Sequence, residues 1–411
     1  MAINSGDTAW LLISSALVML MTPGLAFFYG GMVRRKNLLS TIMMSFACLS
    51  LVGILWILYG YSLSFGPDRS GIIGGLEWIG LNGVGQDPSS IYATTVPHLA
   101  FMIYQAMFAI ITVALFTGAV VERMKFSAIL VFSALWLTLV YAPVAHWVWG
   151  SGGWLARLGV LDFAGGIVVH ISAGVSAISL ALLLGPRKGF REGTPMEPNN
   201  IPLVMLGAGL LWFGWFGFNA GSALTSGGLA ANAFVTTNIA GGAAALTWMM
   251  LSWIYKRPSA LGMATGAVVG LAAITPAAGF VTPLAAIPIG AIAAVLSYYL
   301  MLFRMKRGVD ESLDVWACHG IGGTWGALAA GIFASTAVNS AGANGLLHGN
   351  PMQLLKQLLA VGIVWIFAFG MTWLLGKLVD KTIGLRVSET EETVGLDISQ
   401  HGERAYGGLL R

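Results

Sequence analysis

The chain has 411 residues, of which 57% are hydrophobic and only 9% fully charged, with a formal net charge of +4. Soluble domains carry about 25% charged residues, because a wetted surface needs charges that a lipid-facing surface is penalised for; a soluble globule is therefore excluded. The basic residues sit in short loops rather than in a patch interleaved with exposed aromatics, which argues against a nucleic-acid partner.

The opening MAINSGDTAW has no basic stretch before its apolar run, so that run is expected to be a retained span rather than a signal peptide. A bilayer crossing takes about 20 apolar residues, and long non-alternating runs point to helices rather than a barrel. Such runs fall at 8–32, 38–64, 98–121, 126–149, 162–184, 201–222, 229–254, 260–277, 283–303, 315–337 and 354–379. The predicted fold is thus an all-α integral membrane protein with eleven transmembrane helices. The eighth and ninth are separated only by the breaker-rich TPAAGFVTP (275–283), which reads as a tight turn. The 55 glycines, without a Gly-X-Y period, suit close helix packing in lipid. Cys48 and Cys318 lie in apolar surroundings and are expected to be free and buried.

With the N-terminus outside, eighteen Lys and Arg fall on the cytoplasmic side, counting Arg404 and Arg411 in the tail. Three, Arg69, Arg157 and Lys356, fall outside. That bias predicts a cytoplasmic C-terminus. After the last span, residues 384–411 turn polar and acidic. Two readings stand: a solvated, partly disordered tail, or a docking or gating element anchored by the apolar residues of GLDIS and GERAY.

Within the spans the informative residues are ionisable. His170 and His319 each lie in a Gly/Ala-rich span, and each has a carboxylate eight residues earlier, Asp162 and Glu311. Eight residues is about 12 Å of helix rise, so a rim acid recurs with a near-midplane His. If spans one to five and six to ten are equivalent, the odd repeat length inverts one copy, an arrangement familiar in transporters. The predicted units are 1–184, 185–337, an external loop with span eleven at 338–383, and the tail 384–411. A lone buried His commonly serves as a structural hydrogen bond, but two neutral imidazoles can bond to each other and to a small amine. Among the aromatics, Trp149, Phe108 and Phe218 are candidates for cation–π contact or for closing a pore, against the plain alternative of packing and interfacial roles. Ser222 is a candidate acceptor, or else bonds its own helix. The sequence has no phosphate-binding loop or HExxH motif, so neither an enzyme nor a cofactor is expected.

The segments TPGLAFFYGGMVRRKN (22–37), QAMFAIITVALFTGAVVERMKFSA (105–128), YAPVAHWVWGSGGW (141–154), LDFAGGIVVHISAG (161–174), WFGWFGFNAGSAL (212–224), DVWACHGIGGTWGAL (314–328) and GLDISQHGERAY (395–406) resemble the ammonium transporter/channel family, its microbial Amt branch above all. The resemblance covers essentially the whole chain. It implies ammonium recruitment at Trp149, Phe108 and Ser222, a gate of Phe108 and Phe218, and a pore lined by His170, His319 and Trp215. Asp162 would be the structural acid of that site, and Glu311 stands where relatives usually have Asp. It also implies a homotrimer in the cell membrane, methylammonium as a substrate analogue, and a tail that meets PII-type regulatory proteins. Two other functions fit the same residues: a channel for another small neutral solute, and an ammonium sensor that signals through the tail.

Overall fold

The computed structural model describes residues 2–406; Arg411 and the rest of 407–411 lie outside them. Among the described residues, eleven helical crossings form one bundle: α1 (Ser5–Met32), α2 (38–65), α3 (His98–Thr117), α4 (126–149), α5 (166–184), α6 (Ile201–Ala220), α7 (Gly228–Tyr255), α8 (Ala260–Ile274), α9 (Pro283–Lys306), α10 (316–333) and α11 (Pro351–Thr382). Nine have the length and hydropathy of a membrane span by themselves. At 15 residues α8 is short, about 22 Å of helix. Its backbone ends need no lipid-spanning length because the following turn, from Thr275 to Val281, is itself buried in protein. Residues such as Ile254, Leu284 and Ile366 are more than 70% exposed and form the apolar outer surface.

Several ends differ from the sequence expectation. Span three stops at Thr117 rather than 121, where the chain turns through Gly118 toward Glu122, whose φ is +70°. Span five begins at Gly166 rather than 162, because Asp162 serves as the cap of the helix and not as a member of it. Span ten stops at Phe333 rather than 337, and span eight at Ile274 rather than 277. Four spans contain π-helical turns that no periodicity revealed: Trp56–Gly60, Leu137–Tyr141, Gly166–Ile171 and Trp316–Ile321.

Small residues set which helices meet. A Cβ on Gly207 of α6 would lie 2.3 Å from the Phe28 nitrogen of α1, and one on Gly174 of α5 would lie 2.1 Å from the Gly320 nitrogen of α10. Backbones approach this closely only where side chains are absent. α1 thus packs on α6, and α5 crosses α10.

The face that carries the tail is closed by a buried ionic cluster. Glu122 accepts from the Arg34 Nε at 2.9 Å and from the Arg187 Nη1 at 3.0 Å, while Arg187 makes a bidentate pair with Asp310 at 2.9 and 2.8 Å. Four interhelical loops are joined in this way. The tail then docks on the cluster through Arg386, which donates to Glu392 and to the carbonyls of Leu184 and Pro186, each at 2.8 Å. Residues 384–406 thus pack on the bundle rather than standing free of it. Two short helices, α12 (Glu389–Val394) and α13 (Leu396–His401), end it. Asn37 Oδ1 accepts from the Leu396 N–H, and Asp397 Oδ1 accepts from the Ser40 N–H, both at 2.8 Å. The starts of α2 and α13 therefore cap each other.

Burial alone would raise the Glu122 and Asp310 carboxyls, but the Arg187 charge facing both, with Arg34 beside Glu122, holds them below the ordinary carboxylate range. A carboxyl depressed in the folded state contributes stability above its unfolded value, near pH 4, that is lost as pH falls through the folded value. Glu122→Gln is expected to cost about 3 kcal/mol at pH 7, the lower end for breaking a buried pair, and to flatten the acid limb. Melting curves of the purified protein from pH 3 to pH 7 check both effects.

Candidate functional site

Two pieces of chain build the centre of the bundle in the same way. Before α5, the Asp162 carboxylate accepts from four successive N–H groups, those of Gly165, Gly166, Ile167 and Val168, at 2.9, 2.6, 2.8 and 3.0 Å. Before α10, Glu311 accepts from Val315 at 3.0 Å and Trp316 at 3.3 Å. The first N–H groups of a helix have no intrahelical partner, and a carboxylate there also meets the positive end of the helix dipole. The longer Glu stem keeps that capping role. Each cap starts a π-helical turn that contains the histidine, and the Gly174–Gly320 crossing brings the two turns together.

His170 and His319 face each other with Nδ1 atoms 3.2 Å apart, ring centroids 5.1 Å apart and planes 26° apart. Both are almost fully buried. Two Nδ1 atoms at this distance bond only if one ring carries the proton there and the other does not. The rings are then opposite tautomers: one Nε2 accepts and the other donates. His170 Nε2 has no partner among the described residues. Trp215 lies beside the pair, 5.4 Å from His170 between centroids, with its Nε1 donating to Thr275 Oγ1 at 2.9 Å.

Toward the N-terminal face, Phe218 stacks 5.8 Å from His170, and Phe108 lies over Phe218 at 4.2 Å. Both Phe rings are buried, and together they separate the histidines from a cavity of about 290 Å³ that opens on that face. Its lining includes Phe108, Trp149, Asp162 and Ser222. Trp149 stands edge-on to Phe108, at 5.8 Å and 88°, and its Nε1 donates to the Asp162 carbonyl at 2.9 Å. Asp162 thereby fixes both the helix start and the wall of the cavity. Ser222 Oγ donates to the Phe218 carbonyl at 2.9 Å and keeps lone pairs to accept with. The structure thus brings together every predicted residue except Glu311, which caps the start of α10 on the face that carries the tail.

Sequence reading missed Tyr104 and Gln105, which also line the cavity. Tyr104 Oη lies 3.1 Å from Ser222 Oγ and 2.8 Å from the Phe218 carbonyl oxygen. Their signal was positional: four and three residues before Phe108, they share its side of α3.

Fold and site define a polytopic membrane protein in which an aromatic-walled cavity, a stacked Phe pair and a buried His pair lie one behind the other. The profile described as Ammonium Transporter Family matches residues 9–406. Ammonium transporter Amt1 of Archaeoglobus fulgidus is 55% identical over 404 residues, covering 98% of this chain and all of its own length. The ammonium transporter of Bacillus subtilis is 52% identical over 403 residues, with 98% of each chain covered. The crystal structure of Candida albicans Mep2 superposes with a TM-score of 0.90 at 35% identity, covering 98% of this chain and 91% of that one. The chain belongs to the Ammonium Transporter Family.

Asp162→Ala leaves four buried N–H groups without their acceptor. For a local loss of about 3 kcal/mol, hydrogen exchange at residues 165–168 is expected to rise by about two orders of magnitude. Unchanged exchange there would show that the carboxylate is not what holds the turn.

Proposed function

We propose that the chain moves ammonium across a membrane by recruiting the cation at the aromatic cavity and passing it onward as ammonia beside His170 and His319. The observation that carries this reading is the pair of facing imidazoles beneath the closed Phe108–Phe218 stack. A bare cation in so dry a passage costs several kcal/mol, whereas ammonia has both the donors and the lone pair that two opposite tautomers can meet. In this account Trp149 and Phe108 replace part of the cation's hydration with their π faces, and Ser222 accepts one N–H. Phe108 and Phe218 form the gate, and Trp215 walls the pore. The ammonium N–H bond breaks above or at the gate, its proton leaving to water or along a hydrogen-bonded route, and ammonia regains a proton on the far side.

The remaining expectations form part of the same proposal. The N-terminal face is external and the tail face cytoplasmic, a reading supported by the bias of basic residues. The chain divides into two inverted halves, 1–184 and 185–337, with span eleven and the tail outside the repeat; the matched caps at Asp162 and Glu311 support this. The assembly is a homotrimer working as a channel, methylammonium competes for the cavity, and a PII-type protein meets the docked tail.

In proteoliposomes, His170→Ala with His319→Ala is expected to lower ammonium-dependent flux by about tenfold or more. Uptake at the parent rate would overturn the role of the pair. Asp397→Ala removes the Ser40 cap and is expected to expose 384–406 to limited proteolysis and to weaken binding of a PII-type protein, which copurification measures.

A further inference from the structure

Among the polar side chains that line the cavity above the Phe gate and that the recruitment reading does not use, Gln105 carries a carboxamide oxygen. Gln105 sits on α3, one turn after Phe101 and three residues before Phe108, and both rings share the cavity with it. Its side of the helix is set by that spacing. The residue is 9% exposed, and its Oε1 is buried with no hydrogen-bond partner among the described residues. A buried amide oxygen without a donor is costly to leave. Exchanging the oxygen and nitrogen of the carboxamide by a half-turn about its last bond aims the oxygen at the cavity, and no donor among the described residues opposes that turn.

Recruitment of the cation calls for more than one directional acceptor. Ammonium brings four N–H donors and no acceptor. The π faces of Trp149 and Phe108 attract its charge without fixing individual N–H bonds. Ser222 Oγ already donates to the Phe218 carbonyl and is crowded by Tyr104 Oη at 3.1 Å, which restricts what it can accept. The Asp162 carboxylate is occupied by four backbone N–H groups. Gln105 Oε1 is uncommitted, polar and unpaired.

We infer that Gln105 is an affinity-determining ligand of the recruitment site, its carboxamide oxygen accepting an N–H of ammonium before the ion reaches the Phe gate. The inference rests on the proposed recruitment role of this cavity. A ligand above the gate acts on binding rather than on passage, so its loss raises the apparent KM and spares the maximal flux. A hydrogen bond to a charged partner is stronger than a neutral one.

The test is ammonium-dependent flux in proteoliposomes over a range of ammonium concentrations, with Gln105→Met, Gln105→Asn and Trp149→Leu beside the parent. Met keeps the length and flexibility of the side chain but removes the oxygen. Gln105→Met is expected to raise the apparent KM about tenfold, with the maximal flux within about twofold of the parent. Asn keeps the carbonyl on a stem one methylene shorter and is expected to fall between the two, so it carries the test should the Met variant fail to fold. An unchanged KM in both Gln105 variants, with KM raised in Trp149→Leu, overturns the role of Gln105 and leaves the recruitment site standing. A lowered maximal flux at unchanged KM also overturns it, since the residue would then act on the gate. If Trp149→Leu leaves KM unchanged as well, the recruitment reading itself fails and the inference falls with it.

Discussion

The passage depends on one backbone contact, the crossing of α5 and α10 at Gly174 and Gly320. A single methyl on Gly174 would sit 2.1 Å from the Gly320 nitrogen and 2.4 Å from its Cα. Neither is the yielding end of a side chain. Forcing the helices apart by even an ångström would carry the two Nδ1 atoms beyond hydrogen-bonding distance. Gly323 repeats the constraint one turn on, where a Cβ would stand 2.9 Å from that of His170. In lipid no hydrophobic effect presses these helices together, so the fit between backbones must do it. The chemistry of the centre is therefore set by residues that have no side chains.

The carboxylates at the two rims solve a related difficulty. A helix that starts inside a membrane protein exposes N–H groups where no water satisfies them. Asp162 meets four of these groups with one side chain, and Glu311 meets two. Both caps lead directly into π-helical turns, Gly166–Ile171 and Trp316–Ile321. Such turns commonly mark functional positions because the wider helix changes where a side chain points. Here that side chain is a histidine in both cases. Asp162 carries a further duty, since its carbonyl holds the Trp149 indole; the wall of the outer cavity and the start of the His170 helix share one residue.

The eleven spans were legible because each crossing must be long and apolar, and sequence displays length and apolarity directly. The two histidines were legible because an ionisable group in such surroundings is expensive and so demands a reason. The eight-residue interval from acid to His was visible too, although its meaning was not: a cap and a mid-helix acid look alike until the backbone is traced. The π-turns left no mark, since they alter hydrogen bonding without altering hydrophobic period. Gly174 and Gly320 could not be singled out among 55 glycines. The state of the tail was undecidable for a different reason. Residues 384–406 are polar enough to be free in water, and what orders them lies some 350 positions earlier, at Asn37 and Ser40.

The mutual capping of Asn37 with Leu396 and of Asp397 with Ser40 has a consequence for biosynthesis. A chain emerging from the ribosome inserts its second crossing early, long before residue 396 exists. Throughout synthesis the start of that helix is without its final acceptor, and the first loop must wait beside the bilayer with Arg34, Arg35 and Lys36 unsealed. Only after the eleventh crossing has been made do Leu396 and Asp397 reach the start of the second helix. A product that stops between residues 383 and 395 can thread all eleven crossings and still lack the contacts that fasten the first loop.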